Sequence, residues 1–80
     1  MKVPRDVSGT ELVAALRGLG YAVVRQTGSH ARLTTQQNGE HHITDPMHCP
    51  IKTGTLNAIL RDVAAHAGLP RPQLLELLFA

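Results

Sequence analysis

Tryptophan is absent from this sequence, and tyrosine and phenylalanine occur once each. The core therefore has to be built from Leu, Val, Ile and Ala, which make up most of the 42% hydrophobic content. A single cysteine, Cys49, rules out an internal disulfide, so nothing points to an oxidising compartment. No apolar run is long enough to span a membrane, and Met1 to Ser8 lacks the apolar stretch of a secretion signal. A cytoplasmic protein with no membrane partner is the default that these absences leave. Repeats, linkers and low-complexity segments are missing as well. Eighty residues leave no room for a second core, so residues 1–80 read as one domain. A domain this small is marginally stable alone, which makes stabilisation by a partner plausible.

A strong charge of either sign is lacking too. Eight Lys and Arg against six acids give +2, with five histidines counted as neutral. The distribution says more than the sum. Between Gly20 and Thr53 the cations are Arg25, Arg32 and Lys52, and the acids are only Glu40 and Asp45. A weakly positive middle suits an anionic ligand such as RNA, although charge alone favours an ordinary solvated surface.

What is present reads as helix, three strands, helix and a short last helix. Ser8-Gly9-Thr10-Glu11 matches a capping box, and Leu12, Val13, Leu16 and Leu19 follow at helical spacing, predicting a helix over 9–19 that Gly20 ends in a left-handed cap. Strands are predicted over 21–27, 30–35 and 40–44, with Gly28-Ser29 turning between the first two and Gln37-Asn38-Gly39 between the last two. A three-residue loop with Gly39 left-handed sets Leu33 opposite Ile43 and keeps one apolar face; it also pairs His30 with Pro46, two residues from His48. His30, Arg32 and Thr34 then face the other way, onto a sheet face open to water. Asp45 to Pro50 reads as a loop with two prolines. Thr53 is the expected N-cap of a helix over 54–67, buried through Leu56, Ile59, Leu60, Val63 and Ala67, with Gly68 and Pro70 stopping it. Pro72 opens a short helix over 72–79, whose Leu74, Leu75, Leu77, Leu78 and Phe79 either pack back on the sheet or meet a partner. The fold class is α+β: a three-stranded antiparallel sheet with the helices on one face.

The stretch Arg25-Gln26-Thr27-Gly28-Ser29-His30-Ala31-Arg32 concentrates the chemistry. An imidazole titrates near pH ~6.5 and serves as general acid or base. RNA carries its own nucleophile in the 2′-hydroxyl, so its cleavage needs proton transfer and cations around the phosphate but no metal in principle. His30 fits that role; a histidine merely bonded to nearby backbone is the plainer alternative. Lys52-Thr53-Gly54-Thr55 is the second site of interest. A lysine at a helix N-terminus opposes the helix dipole, yet with free N–H groups and a glycine it suits a phosphate. A flexible lysine beside an ordinary cap fits the same spacing. His41, His42, His48 and Cys49 invite a zinc reading, but adjacent strand residues point to opposite faces and no paired cysteine motif exists, so no metal or cofactor is expected. Ser29 and Cys49 have histidines nearby in sequence, which is not triad geometry.

These residues carry a resemblance. A helix ending in Leu-Gly-Tyr, then Val-Val-Arg-Gln-Thr-Gly-Ser-His, then a Lys-x-Gly-Thr-Leu-x-x-Ile-Leu-Arg helix, resembles the HicA (YcfA-like) toxin family from about Gly9 to Leu69. The resemblance implies a double-stranded-RNA-binding-domain-like fold and a metal-independent mRNA interferase, neutralised by a HicB antitoxin in a toxin–antitoxin stress-response operon. By it His30, after Gly28 and Ser29, holds the place of the catalytic histidine, and Lys52, Gly54 and Thr55 contact phosphate beside Arg25 and Arg32. His48 falls where many members have a histidine in a Pro-x-His segment, as a second proton donor or a structural residue. The free protein would be a monomer, hetero-oligomeric with its antitoxin, which buries His30 or blocks access to it. Asp45 would set an acid beside this site. A non-catalytic RNA-binding module of the same fold is the alternative from a different class.

Overall fold

The structure, a computed structural model, describes residues 3–79. Helix α1 (Gly9–Leu16) continues into a 3₁₀ turn (Arg17–Leu19); strands β1 (Ala22–Thr27), β2 (His30–Thr35) and β3 (His41–Pro46) follow, then helices α2 (Thr53–Ala67) and α3 (Arg71–Phe79). The sheet is antiparallel in the order β1-β2-β3.

The capping box forms as its residues dictate. The Ser8 hydroxyl accepts from the Glu11 N–H at 3.0 Å, and the Glu11 carboxylate accepts from the Ser8 N–H at 3.2 Å. Ser8→Ala is expected to cost about 1 kcal/mol, seen as a fall of roughly 4–8 °C in thermal midpoint. The helix tightens to 3₁₀ pairing at Arg17, three residues ahead of left-handed Gly20 (φ 82°).

The apolar stripe of α1 (Leu12, Val13, Leu16) and that of α2 (Leu56, Ile59, Leu60, Val63) bury against Ala31, Leu33 and Ile43 of the sheet. Leu33 lies opposite Ile43, and His30 opposite Pro46. Strand β3 thus runs on through Asp45 and Pro46, past the expected end at Thr44. The register demands it: His30 and Ala31 need partners, and an edge strand tolerates proline at its end. The turn before β3 is wider than three residues, since the last bridged pair is Thr35 with His41, and both Asn38 (φ 62°) and Gly39 (φ 95°) are left-handed.

Three further details depart from expectation. Lys52, not Thr53, is the N-cap of α2, and no side chain caps that end. Thr53 is already helical. The C-terminal segment packs on α1 and α2 rather than on the sheet, with Leu74 and Leu75 buried and Leu77 exposed. Finally, every residue of β1 from Ala22 to Thr27 is exposed, although α1 reaches this edge strand. No helix among the described residues is long and apolar enough to cross a membrane.

Candidate active site

The open face of the sheet is organised by a bulge. Val23 pairs with Leu33, but the next pair is Arg25 with Arg32, leaving Val24 as the extra residue. Regular alternation would have put Arg25 on the same side as Val23, toward the helices. The bulge turns it over instead, so Arg25 and Arg32 stand side by side on the open face, with Thr44 next in the row. Like charges directly across a ladder are unfavourable. No carboxylate forms a salt bridge with either guanidinium among the described residues. Two exposed arginines in one row, with Glu40 near enough to feel the Arg32 charge but not bonded to it, make a ready anion contact.

One row along, toward the β1–β2 turn, Thr27, His30 and Pro46 lie across the three strands. Gly28 takes a left-handed φ of 56° in the two-residue turn, which glycine adopts freely. The Ser29 carbonyl accepts the Met47 N–H at 2.6 Å, the His48 carbonyl accepts the Gly9 N–H at 2.9 Å, and the Val7 carbonyl accepts the Ile51 N–H at 2.8 Å. These three bonds lash the segment after β3 to the turn and to the start of α1. Gly9 has to be glycine: a Cβ there would run into the Pro46 carbonyl and lie 2.6 Å from Met47 Cα.

The result is a cleft of about 590 Å³ lined by His30, Pro46, His48, Cys49, Pro50, Lys52 and Thr55. The His30 and His48 rings meet edge to face, 6.5 Å between centroids. Lys52 stands at the N-terminus of α2, where free N–H groups and the helix dipole favour an anion. Of the residues expected to form a site, the structure brings His30, His48, Lys52 and Thr55 together, with Arg25 and Arg32 on the neighbouring sheet face. Gly28 and Ser29 shape the turn through their backbone. Gly54 is exposed in the first turn of α2, outside the lining of the cleft.

Asp45 corrects an expectation. It pairs with Ala31, so its side chain faces the core, fully buried, and neither carboxylate oxygen has a hydrogen-bond partner. Burial pushes its pKa up to about 7. It is not an acid set against a phosphate on the open face.

The other three histidines are engaged. His41 Nδ1 accepts from the buried Tyr21 phenol at 2.7 Å and its Nε2 meets Asp62 at 3.2 Å, while its ring stacks on His66 at 4.3 Å. Burial first, and then the Asp62 carboxylate, raise the Tyr21 phenol above its usual range, which keeps it a donor. His66 Nε2 lies 2.9 Å from the Gln37 carbonyl and 3.0 Å from that of Gly39, bracing the β2–β3 turn against α2. His42 bridges Thr34 (2.7 Å) and Glu40 (2.9 Å). Among the described residues no three His, Cys, Asp or Glu side chains converge as a metal site. The contribution of Gly9 and of the β1 bulge had no sequence signal beyond a glycine and two adjacent valines.

Comparison with known proteins gives one match. The family model of the HicA toxin of bacterial toxin–antitoxin systems covers residues 9–65, from α1 through most of α2. No curated protein and no solved structure gives a significant match. The matched span includes the arginine row, His30, His48 and Lys52, and by it the chain belongs to the HicA family of toxins.

Proposed function

We propose that this toxin is a metal-independent endoribonuclease acting on mRNA, with His30 as its general acid–base group. The observation that carries this reading is an exposed imidazole in a cleft with Lys52, one row from two exposed arginines that form no salt bridge. Arg25, Arg32 and Lys52 hold the phosphate backbone, and the 2′-hydroxyl of the RNA is the nucleophile. A HicB-like antitoxin neutralises the toxin by covering the open sheet face and closing access to His30, so that the monomeric toxin becomes part of a hetero-oligomer.

The test is cleavage of RNA by the purified protein with a chelator present. Fragments should accumulate, and RNA affinity should fall steeply with salt as phosphate contacts are screened. Arg25→Ala and Arg32→Ala should each weaken binding across all sequences and lower the salt slope by about 1, with folding stability unchanged or slightly higher because the like-charge pair is relieved. Salt-sensitive binding without any cleavage would instead identify a non-catalytic RNA-binding module.

A further inference from the structure

The two edges of the sheet are not alike. Strand β3 is blunted in the ways proteins use against stray pairing. Pro46 ends it, His41 and His42 are bonded to Asp62 and Glu40, and α2 packs against it. Strand β1 has no proline and no acid, and all six of its residues are exposed. Among the described residues its backbone bonds only to β2, so the N–H and C=O groups on its outer side are unpaired. Its one irregularity, the bulge, leaves Val24 60% exposed.

The residue rows stop short at the same edge. On the helix side Ile43, Leu33 and Val23 lie across the three strands, and they are 5%, 0% and 42% exposed. An apolar row that is dry through two strands and half wet at the third lacks a neighbour on its outer side. On the open side the row of Thr44, Arg32 and Arg25 ends in a guanidinium with no salt bridge among the described residues. From Ala22 to Thr35 the chain holds two arginines and no acid.

We propose that the outer edge of β1 is a docking site for an extended strand of a partner protein, apolar where it lies beside Val23 and acidic where it lies beside Arg25. A fourth strand about 4.8 Å away would satisfy the free main-chain groups, cover Val23 from the side and set a carboxylate against Arg25. Charge selects this occupant. A second copy paired β1 to β1 would add another Arg25 to the same edge and no acid, so like charges would oppose it. An acidic strand gains where the copy loses. Seated there, it also occupies Arg25, one of the cations proposed to hold RNA.

The probes are two short, end-blocked peptides, one alternating valine with glutamate and one alternating valine with lysine. Each is added to the full chain, and backbone amide exchange of the protein is followed residue by residue. The glutamate peptide should slow exchange at outward-facing amides between Ala22 and Thr27 and leave β3 unchanged, and the lysine peptide should bind more weakly. Opposite charges across a ladder favour pairing by up to about fivefold in affinity, so Arg25→Glu should reverse the order of the two peptides. Val23→Thr keeps the strand preference but loses apolar contact, and should weaken both. Protection of β1 by neither peptide, protection of β3 instead, equal binding of both, or an order that survives Arg25→Glu in a folded protein each overturns the proposal. So does a free protein that dimerises with its β1 amides already protected, since the edge then belongs to a second copy. No RNA is present, so these outcomes are separate from the ribonuclease reading, which cleavage decides.

Discussion

Replacing His30 with alanine is expected to reduce RNA cleavage by roughly 10²–10⁴-fold, the usual worth of positioned general acid–base catalysis. Induced expression of wild type should arrest growth and deplete mRNA, whereas the variant should do neither. The comparison is clean because His30 bears no structural load. It is exposed at the first position of β2, and its ring bonds no protein group among the described residues. Substitutions at such positions change stability by no more than about 0.5 kcal/mol, so an unfolding curve that overlays wild type removes misfolding as an explanation. RNA binding should persist, since Arg25, Arg32 and Lys52 remain. If both proteins are equally toxic, or equally harmless, His30 does not carry the chemistry.

The second large effect concerns stability and comes from Asp45. Its carboxyl is fully buried with both oxygens unpartnered, and burial pushes its pKa up to about 7 from an ordinary value near 3.9 in the unfolded chain. The sign follows from proton binding. Between those two values the folded state holds a proton that the unfolded state releases, so stability is greatest at low pH and falls as pH rises through about 7. Each pH unit inside that window is worth about 1.4 kcal/mol. Between about pH 5.5 and about pH 8 the loss from this one group comes to roughly 2 kcal/mol, a sizeable share for a domain of this length. Asp45→Asn cannot ionise, so its urea-unfolding free energy should lack this slope and its advantage over wild type should grow by that amount across the range. Parallel pH dependences for the two proteins would show that the carboxyl finds solvent or a partner. Above about pH 7 both states are ionised, so the loss from this group levels off there.

The local devices were readable from residues close together in the chain. Ser8 and Glu11 state a capping box outright, and Gly20 and Gly68 mark helix ends because only a left-handed residue serves there. The β2–β3 register could be argued from Leu33 and Ile43 alone, since any odd slip would turn one of them out of the core. The pairing of His30 with Pro46, and hence the nearness of His48, followed from the same count. The histidine itself was singled out by its neighbours in a short motif.

Other features depended on contacts between distant segments. Lys52 displaced Thr53 as the cap because Ile51 is held by Val7, which decides where the chain can begin to coil. From the sequence Asp45 reads as an acid beside the site because the predicted strand stops at Thr44, two residues short; extended through Pro46, the alternation turns it inward. Arg25 shares the open face with Arg32 only because Val24 bulges, and two consecutive valines do not announce a bulge.

By itself, then, the sequence determined the elements, the register of the central hairpin and the family, because each rests on spacing within a few residues or on a motif kept in order. Only the tertiary structure decided which of five histidines are free to react. Hydrogen-bond partners such as Asp62 for His41, or the Gln37 and Gly39 carbonyls for His66, lie about twenty to thirty residues away and meet their rings only when the helices close over the sheet.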